Sequence, residues 1–168
     1  MENYLTKIVW LSLFGLMIGR NEISGKPLKV DSLVVFKAKR ILIVYQKSKA
    51  IRQLKISLGG NPVGHKEKEG DEKTPEGYYI ISDKNPNSAF YKNLAISYPN
   101  KTDVEKARKG GYSPGGNIKI HGLRNGFGWT SPFHLWLDWT NGCIAVTNKE
   151  MEWLFQNVEK GTLIHIQP

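Results

Sequence analysis

The sequence predicts a mainly β domain, a curved sheet or sandwich with two short helices. Three observations lead there. Runs dense in Val, Ile, Leu, Phe and Tyr recur from residue 33 to residue 166, separated by turn-forming residues as strands are. The 168 residues include 17 glycines and 8 prolines, a usage that suits strands and loops better than a helical bundle. Two capping-box patterns, Thr102-Asp103-Val104-Glu105 and Thr147-Asn148-Lys149-Glu150, each open a helix-length stretch.

Taken in order, Val34-Val35-Phe36 and Arg40 to Tyr45 are β-forming runs. Gln46-Lys47-Ser48-Lys49 reads as a turn, and Ala50 to Leu58 alternates from Leu54 onward, which together signal a hairpin. Residues 59–77 carry repeated Gly and Pro among charged side chains. A loop of that length in a compact domain is usually functional or mobile. Gly77 to Ser82 and Asn93 to Tyr98 read as strands, the second stopped by Pro99. The first helix opens at the Thr102 box and ends near Gly110-Gly111. Asn117 to Gly122 and Cys143 to Val146 are strands. The second helix runs from the Thr147 box through Val158, Gly161 ends it, and Thr162 to Ile166 is the last strand.

Residues 1–25 differ in kind. Lys7 precedes a run of 12 mostly apolar residues, Ile8 to Gly19. That fits a signal h-region of about 7–15 residues better than a bilayer span of about 20. The segment is read as a signal peptide or N-terminal membrane anchor, residues 26–32 as a tether, and residues 33–168 as one domain. The formal net charge of +9 speaks to partners rather than fold. An anionic polymer or membrane surface is the expected contact. No helix-turn-helix, zinc-finger or RNA-binding aromatic signature supports nucleic acid.

The lone cysteine, Cys143, sits in Thr140-Asn141-Gly142-Cys143-Ile144-Ala145-Val146. An exported chain leaves such a thiol without a disulfide partner in an oxidising compartment. Gly142 would let a second backbone come close, and the β-branched residues after it would hold the thiol still. His121, in Ile120-His121-Gly122, lies 22 residues earlier on a separate strand. It can act as the base for a thiol nucleophile. Backbone N–H groups of Gly142 and Cys143 could hold an oxyanion. A third group must orient the imidazole. The spacing of His121, His134 and Cys143 matches no usual zinc pattern, and acyl transfer by a thiol with a histidine base needs neither metal nor organic cofactor. His65 reads as solvated and His165 as structural. The loop Leu123 to Trp139 holds Trp129, Phe133, Trp136 and Trp139, either a hydrophobic mini-core or a lid over peptide or sugar.

His121-Gly122 followed by Thr140-Asn141-Gly142-Cys143 resembles the signature of the YkuD-type L,D-transpeptidase catalytic domain. Gly64-His65-Lys66, Gly70-Asp71 and Thr74-Pro75-Glu76-Gly77 resemble the family's earlier glycine-rich run, in the same order. The resemblance spans residues 33–168. It implies that Cys143 is acylated, that His121 is its base, and that Thr140, Asn141, Gly142 and Gly122 shape the site. It also implies attack on the bond between the diamino acid and D-Ala of a peptidoglycan stem peptide outside the cytoplasmic membrane. Three departures bear on the substrate. Ala145 stands where the family often has arginine, Asn141 where it often has histidine, and the His–Cys interval is longer. Arg124 is the candidate to replace the missing cation, and Arg124, Trp129, His134 and Trp139 are candidates to line the cleft. Water rather than an amine could resolve the thioester, giving an L,D-carboxypeptidase or hydrolase. A reading of another class is a wall-binding module with an idle site.

Overall fold

The computed structural model describes residues 29–168. The export segment expected at 1–25, and the first residues of the tether, lie outside the described residues. Val30, within the stretch read as tether, is buried in the core, and Ser32 already opens the first strand.

Eight strands form one sheet in the order β3-β2-β1-β8-β4-β5-β6-β7. They are β1 (Ser32–Phe36), β2 (Ile41–Gln46), β3 (Lys49–Lys55), β4 (Gly77–Ser88), β5 (Tyr91–Ile96), β6 (Lys119–His121), β7 (Ile144–Ala145) and β8 (Leu163–Gln167). Neighbours are antiparallel except β1–β8 and β6–β7. Period-2 alternation decides which side chains enter the core: Leu33 and Val35 of β1, and Leu42 and Val44 of β2, are fully buried while their neighbours are not. The sheet curls. Ser57, just past edge strand β3, pairs with Ala145 of the opposite edge strand β7, and Gly59 bridges Thr140. Reciprocal backbone bonds of 2.9 Å between Ser57 and Ala145 make that closure. A closed edge leaves no unpaired strand beside the cysteine.

Helix α2 (Asn148–Asn157) starts where the sequence places it. Thr147 caps it, its hydroxyl accepting from the Glu150 N–H and the Glu150 carboxylate accepting from the Thr147 N–H. Its buried Met151 and Leu154 pack it onto the sheet beside β5 and β6. Helix α1 (Lys101–Gly110) departs from expectation. The cap is Asn100, and its reciprocal partner is Asp103, so the box lies two residues earlier than Thr102. Asn100, directly after Pro99, holds the extended backbone that a cap needs.

The charged loop 59–77 is not loose. Asp71 accepts from the Lys66 ammonium at 2.7 Å and from the backbone N–H groups of Glu67, Lys68 and Lys73 at 2.8, 3.0 and 3.1 Å. The buried Lys37 ammonium donates to the carbonyls of Gly64 and Thr74 and to Glu76. His65, expected to be solvated, instead accepts from the Glu76 N–H and faces Asp103 at 3.1 Å. β4 runs six residues past its expected end at Ser82. Register shifts between Ile81 and Asp83 and between Asn85 and Ser88 accommodate the polar, Pro86-containing stretch, as bulges do.

Candidate active site

His121 ends β6 and Cys143 directly precedes β7, its parallel neighbour. Ile120 and Ile144 pair across the two strands and are fully buried in the core. Alternation therefore turns Lys119, His121 and Cys143 to the other side, where all three line one cavity of about 440 Å³. The thiol donates to the Asn117 carbonyl at 3.5 Å.

The turn before the cysteine is held by Thr140. Its hydroxyl donates to the Cys143 carbonyl at 2.7 Å and accepts from the Gly142 N–H at 3.1 Å. The Gly142 N–H is thus engaged, which corrects the expectation that it serves an oxyanion beside the Cys143 N–H. Gly142 is required for the reason anticipated. Its φ is +114°, and a Cβ there would lie 2.5 Å from the Lys73 carbonyl oxygen.

The imidazole is oriented by the backbone. His121 Nδ1 lies 2.6 Å from the Gly122 carbonyl oxygen. A carbonyl only accepts, so Nδ1 carries the proton and Nε2 is the basic nitrogen of the neutral ring. The same peptide group is held from its other side, the Leu123 N–H donating to Asn148 Oδ1 at 2.8 Å. A side chain on Gly122 would meet that oxygen at 2.6 Å. Phe90 and Trp139 pack on the His121 ring at centroid distances of 4.9 and 5.8 Å.

Burial pushes the His121 pKa below its ordinary value; the Gly122 carbonyl opposes this, and the nearby Lys119 charge adds to it. Burial pushes the Cys143 thiol up, while the Lys119 N–H and the charges of Lys119 and Lys66 pull it back. Both effects favour a neutral resting thiol beside a neutral imidazole.

Arg124, His134 and Trp139 line a second, apolar cavity of about 520 Å³ with Phe90, Phe127 and Leu137. Phe90 and Trp139 are the wall it shares with the first. Arg124 is therefore not beside Cys143. Trp129, 78% exposed, lines neither cavity and drops out of the cleft. The aromatic loop is not a closed mini-core, since Phe133 and Trp136 are also exposed. It is moored at its end: Arg40 pairs with Asp138 at 2.7 Å, and Asp138 accepts from the Leu58 N–H at 2.9 Å. Asn141 is exposed and lies between the first cavity and a recess lined by Lys66, Glu69 and Glu72.

Several lining residues escaped sequence reasoning. Asn85, Asn87, Asn93, Asn117 and Asn141 present five amides to the cavity, and Lys119 presents a cation. The i, i+2 spacing of Lys119 and His121 on one strand was a usable signal for the lysine. Nothing local marks the asparagines of the β4–β5 hairpin.

Residues 31–166 match the family described as YkuD, the L,D-transpeptidase catalytic domain. Over 156 residues the chain is 31% identical to YafK of Escherichia coli strain K12, whose name places it among the L,D-transpeptidases; the match covers 89% of this chain and 54% of that protein. The helical cell shape determining protein Pgp2 of Campylobacter jejuni is 30% identical, with a TM-score of 0.62 over 83% of this chain and 50% of that one. An L,D-transpeptidase from Mycobacterium smegmatis shares the fold at 14% identity and a TM-score of 0.55, covering 83% of this chain and 59% of that one. The chain spans about half the length of the curated relatives it matches.

Proposed function

This chain belongs to the L,D-transpeptidase catalytic domain family, and from that premise we propose that it is a cysteine acyltransferase with Cys143 as nucleophile and His121 as base. The family acts on peptidoglycan stem peptides. The observation that carries the assignment is the His121 Nδ1–Gly122 bond, which leaves Nε2 basic on the cavity wall that also bears Cys143.

In this reading the Cys143 Sγ attacks the carbonyl carbon of the diamino acid at stem position three, and His121 Nε2 takes the thiol proton. The oxyanion is met by the Cys143 N–H. Collapse breaks the C–N bond, the imidazolium gives its proton to the departing D-Ala amine, and a thioester remains. An amine from a second stem, or water, attacks that thioester and loses a proton to Nε2. Sγ leaves as the second intermediate collapses and regains its proton from the imidazolium. Asn141 and the wall of asparagines donate and accept along the bound peptide, and Arg124, His134 and Trp139 form the neighbouring part of the cleft. The protein works in the cell envelope, delivered by the segment at 1–25, and its product is the remodelled wall that sets cell shape. The net charge of +9 draws it to anionic wall polymer.

Mass spectrometry of a disaccharide-tetrapeptide incubated with the protein tests this, with Cys143→Ala as control. Cysteine-dependent loss of D-Ala with a cross-linked dimer is the expected result. Tripeptide alone makes water the acceptor and the protein an L,D-carboxypeptidase. D-Ala release that survives Cys143→Ala, or no release by the unaltered protein, overturns the assignment.

A further inference from the structure

Lys119 stands two residues before His121 on β6, one step ahead of the Ile120–Ile144 pair, and so flanks Cys143 on the adjoining strand. It is half-buried and lines the cavity that holds both. Other sequestered lysines of this fold meet a carboxylate: Lys37 reaches Glu76 at 2.8 Å, Lys66 reaches Asp71 at 2.7 Å and Lys92 reaches Glu152 at 2.7 Å. The Lys119 ammonium makes no ion pair and no hydrogen bond among the described residues. No Asp or Glu lines the cavity, whose remaining polar groups are asparagine amides, hydroxyls, the neutral imidazole and the thiol. A cation on the cavity wall that faces only neutral groups is left to pair with an anion that a ligand brings.

The donor peptide of the reaction proposed above supplies one. Its last residue follows the attacked bond, so its carboxylate lies a single residue, about 3.6 Å of extended chain, beyond the scissile carbonyl. A side chain on the strand next to the nucleophile, about 4.8 Å away, is on that scale. Ala145, the residue opposite His121, has no charge to offer, and Arg124 faces the other cavity.

We propose that Lys119 binds the terminal carboxylate of the departing D-amino acid and selects donors that end there. The inference rests on the acyl-transfer reading for its ligand but is tested separately from it. Lys119 also acts on the thiol and imidazole through its charge, so turnover alone would confound binding with activation. The decisive comparison uses the Cys143→Ala protein, titrated calorimetrically with two probes. One is the tetrapeptide ending in free D-Ala, and the other is the same peptide ending in D-Ala amide.

The carboxylate peptide is expected to bind about 10-fold more tightly than the amide, the scale of one hydrogen bond to a charged group. Adding Lys119→Met should abolish that preference by weakening the carboxylate peptide alone, and Lys119→Arg should restore most of it. Equal affinity for the two probes, a preference that survives Lys119→Met, equal weakening of both, or no binding of either overturns the proposal. D-Ala release by the unaltered protein without a Lys119-dependent preference leaves the reaction standing and removes the subsite. A Lys119-dependent preference without D-Ala release does the reverse.

Discussion

The Gly122–Leu123 peptide has His121 on its carbonyl and Asn148 on its N–H, so Asn148 is a positioning residue that acts on the imidazole through this peptide. Asn148→Ala leaves that N–H without its acceptor. It should lower kcat of acyl transfer by about 10-fold, of the order of one lost hydrogen bond, with KM unchanged. As the carbonyl loosens, the acidic limb of the pH profile should move to lower pH, because this bond raises the His121 pKa. Thr147→Ala is the control: it removes the α2 cap, costing about 1 kcal/mol, and should lower Tm without moving the limb. In the unaltered protein the acidic limb of kcat/KM should lie below the ordinary imidazole value of 6.5. Alkylation of Cys143 by iodoacetamide should rise with pH to a midpoint above the ordinary thiol value of 9.0. Alkylation already maximal at neutral pH would mean a preformed thiolate–imidazolium pair instead. The Cys–His pair was legible because the local string around each residue carries the chemistry. Asn148 was read only as part of a capping box, since its contact with Leu123 crosses 25 residues.

At the scale of elements, the cysteine turn is pressed against the charged loop 59–77, a contact between segments far apart in the chain. Gly142 adopts a positive φ and meets the Lys73 carbonyl, which the loop around Asp71 presents. Gly142→Ala combines that backbone strain, about 1–3 kcal/mol, with a clash at 2.5 Å. It should reduce both the urea midpoint and D-Ala release. Asp71→Ala strips the carboxylate from Lys66, which is 3% exposed and keeps only the Lys68 carbonyl. Leaving a buried charge unpaired costs about 3–5 kcal/mol, measurable by urea unfolding. Strand existence was readable from alternation, and α2 from its box. The α1 box was misplaced because several residues near Pro99 could cap, and the backbone conformation chooses among them. The far half of β4 was missed because its pairing to β5, not its polar sequence, makes it a strand.

For the whole molecule, the buried histidines set the pH dependence of stability. His121 and His134 are both held below their ordinary pKa, chiefly by burial. Below about pH 6.5 the unfolded chain binds protons that the folded one refuses, so stability falls with falling pH from there. Asp71 adds a second decline. Burial works against its carboxylate, but Lys66 and three backbone donors outweigh it and bring the pKa to about 2. Its contribution is complete above its unfolded value of 3.8 and is lost as pH falls toward about 2. Above pH 10, burial and the Asp103 charge keep Tyr79 protonated while the unfolded chain ionises, so stability declines again. Urea midpoints followed by tryptophan fluorescence should be level from pH 7 to about 9 and fall on both sides. A midpoint that stays level down to pH 5 would mean the histidines titrate freely.

What the sequence determined by itself is whatever short-range chemistry writes in one stretch of chain. That includes the alternation of buried side chains in β1 and β2, the Thr147 cap, the need for glycine at 142, and the paired signals of His121 and Cys143. These rest on period, cap geometry and sterics within a few residues. The tertiary structure alone decided which groups surround that pair. The curl of the sheet brings Ser57 to Ala145, the β4–β5 hairpin sets asparagines across from Cys143, and α2 delivers Asn148 to the histidine peptide. It also decided that Lys119, rather than Arg124, is the cation beside the thiol. Those placements depend on pairing between distant strands, where one residue of register exchanges the two faces.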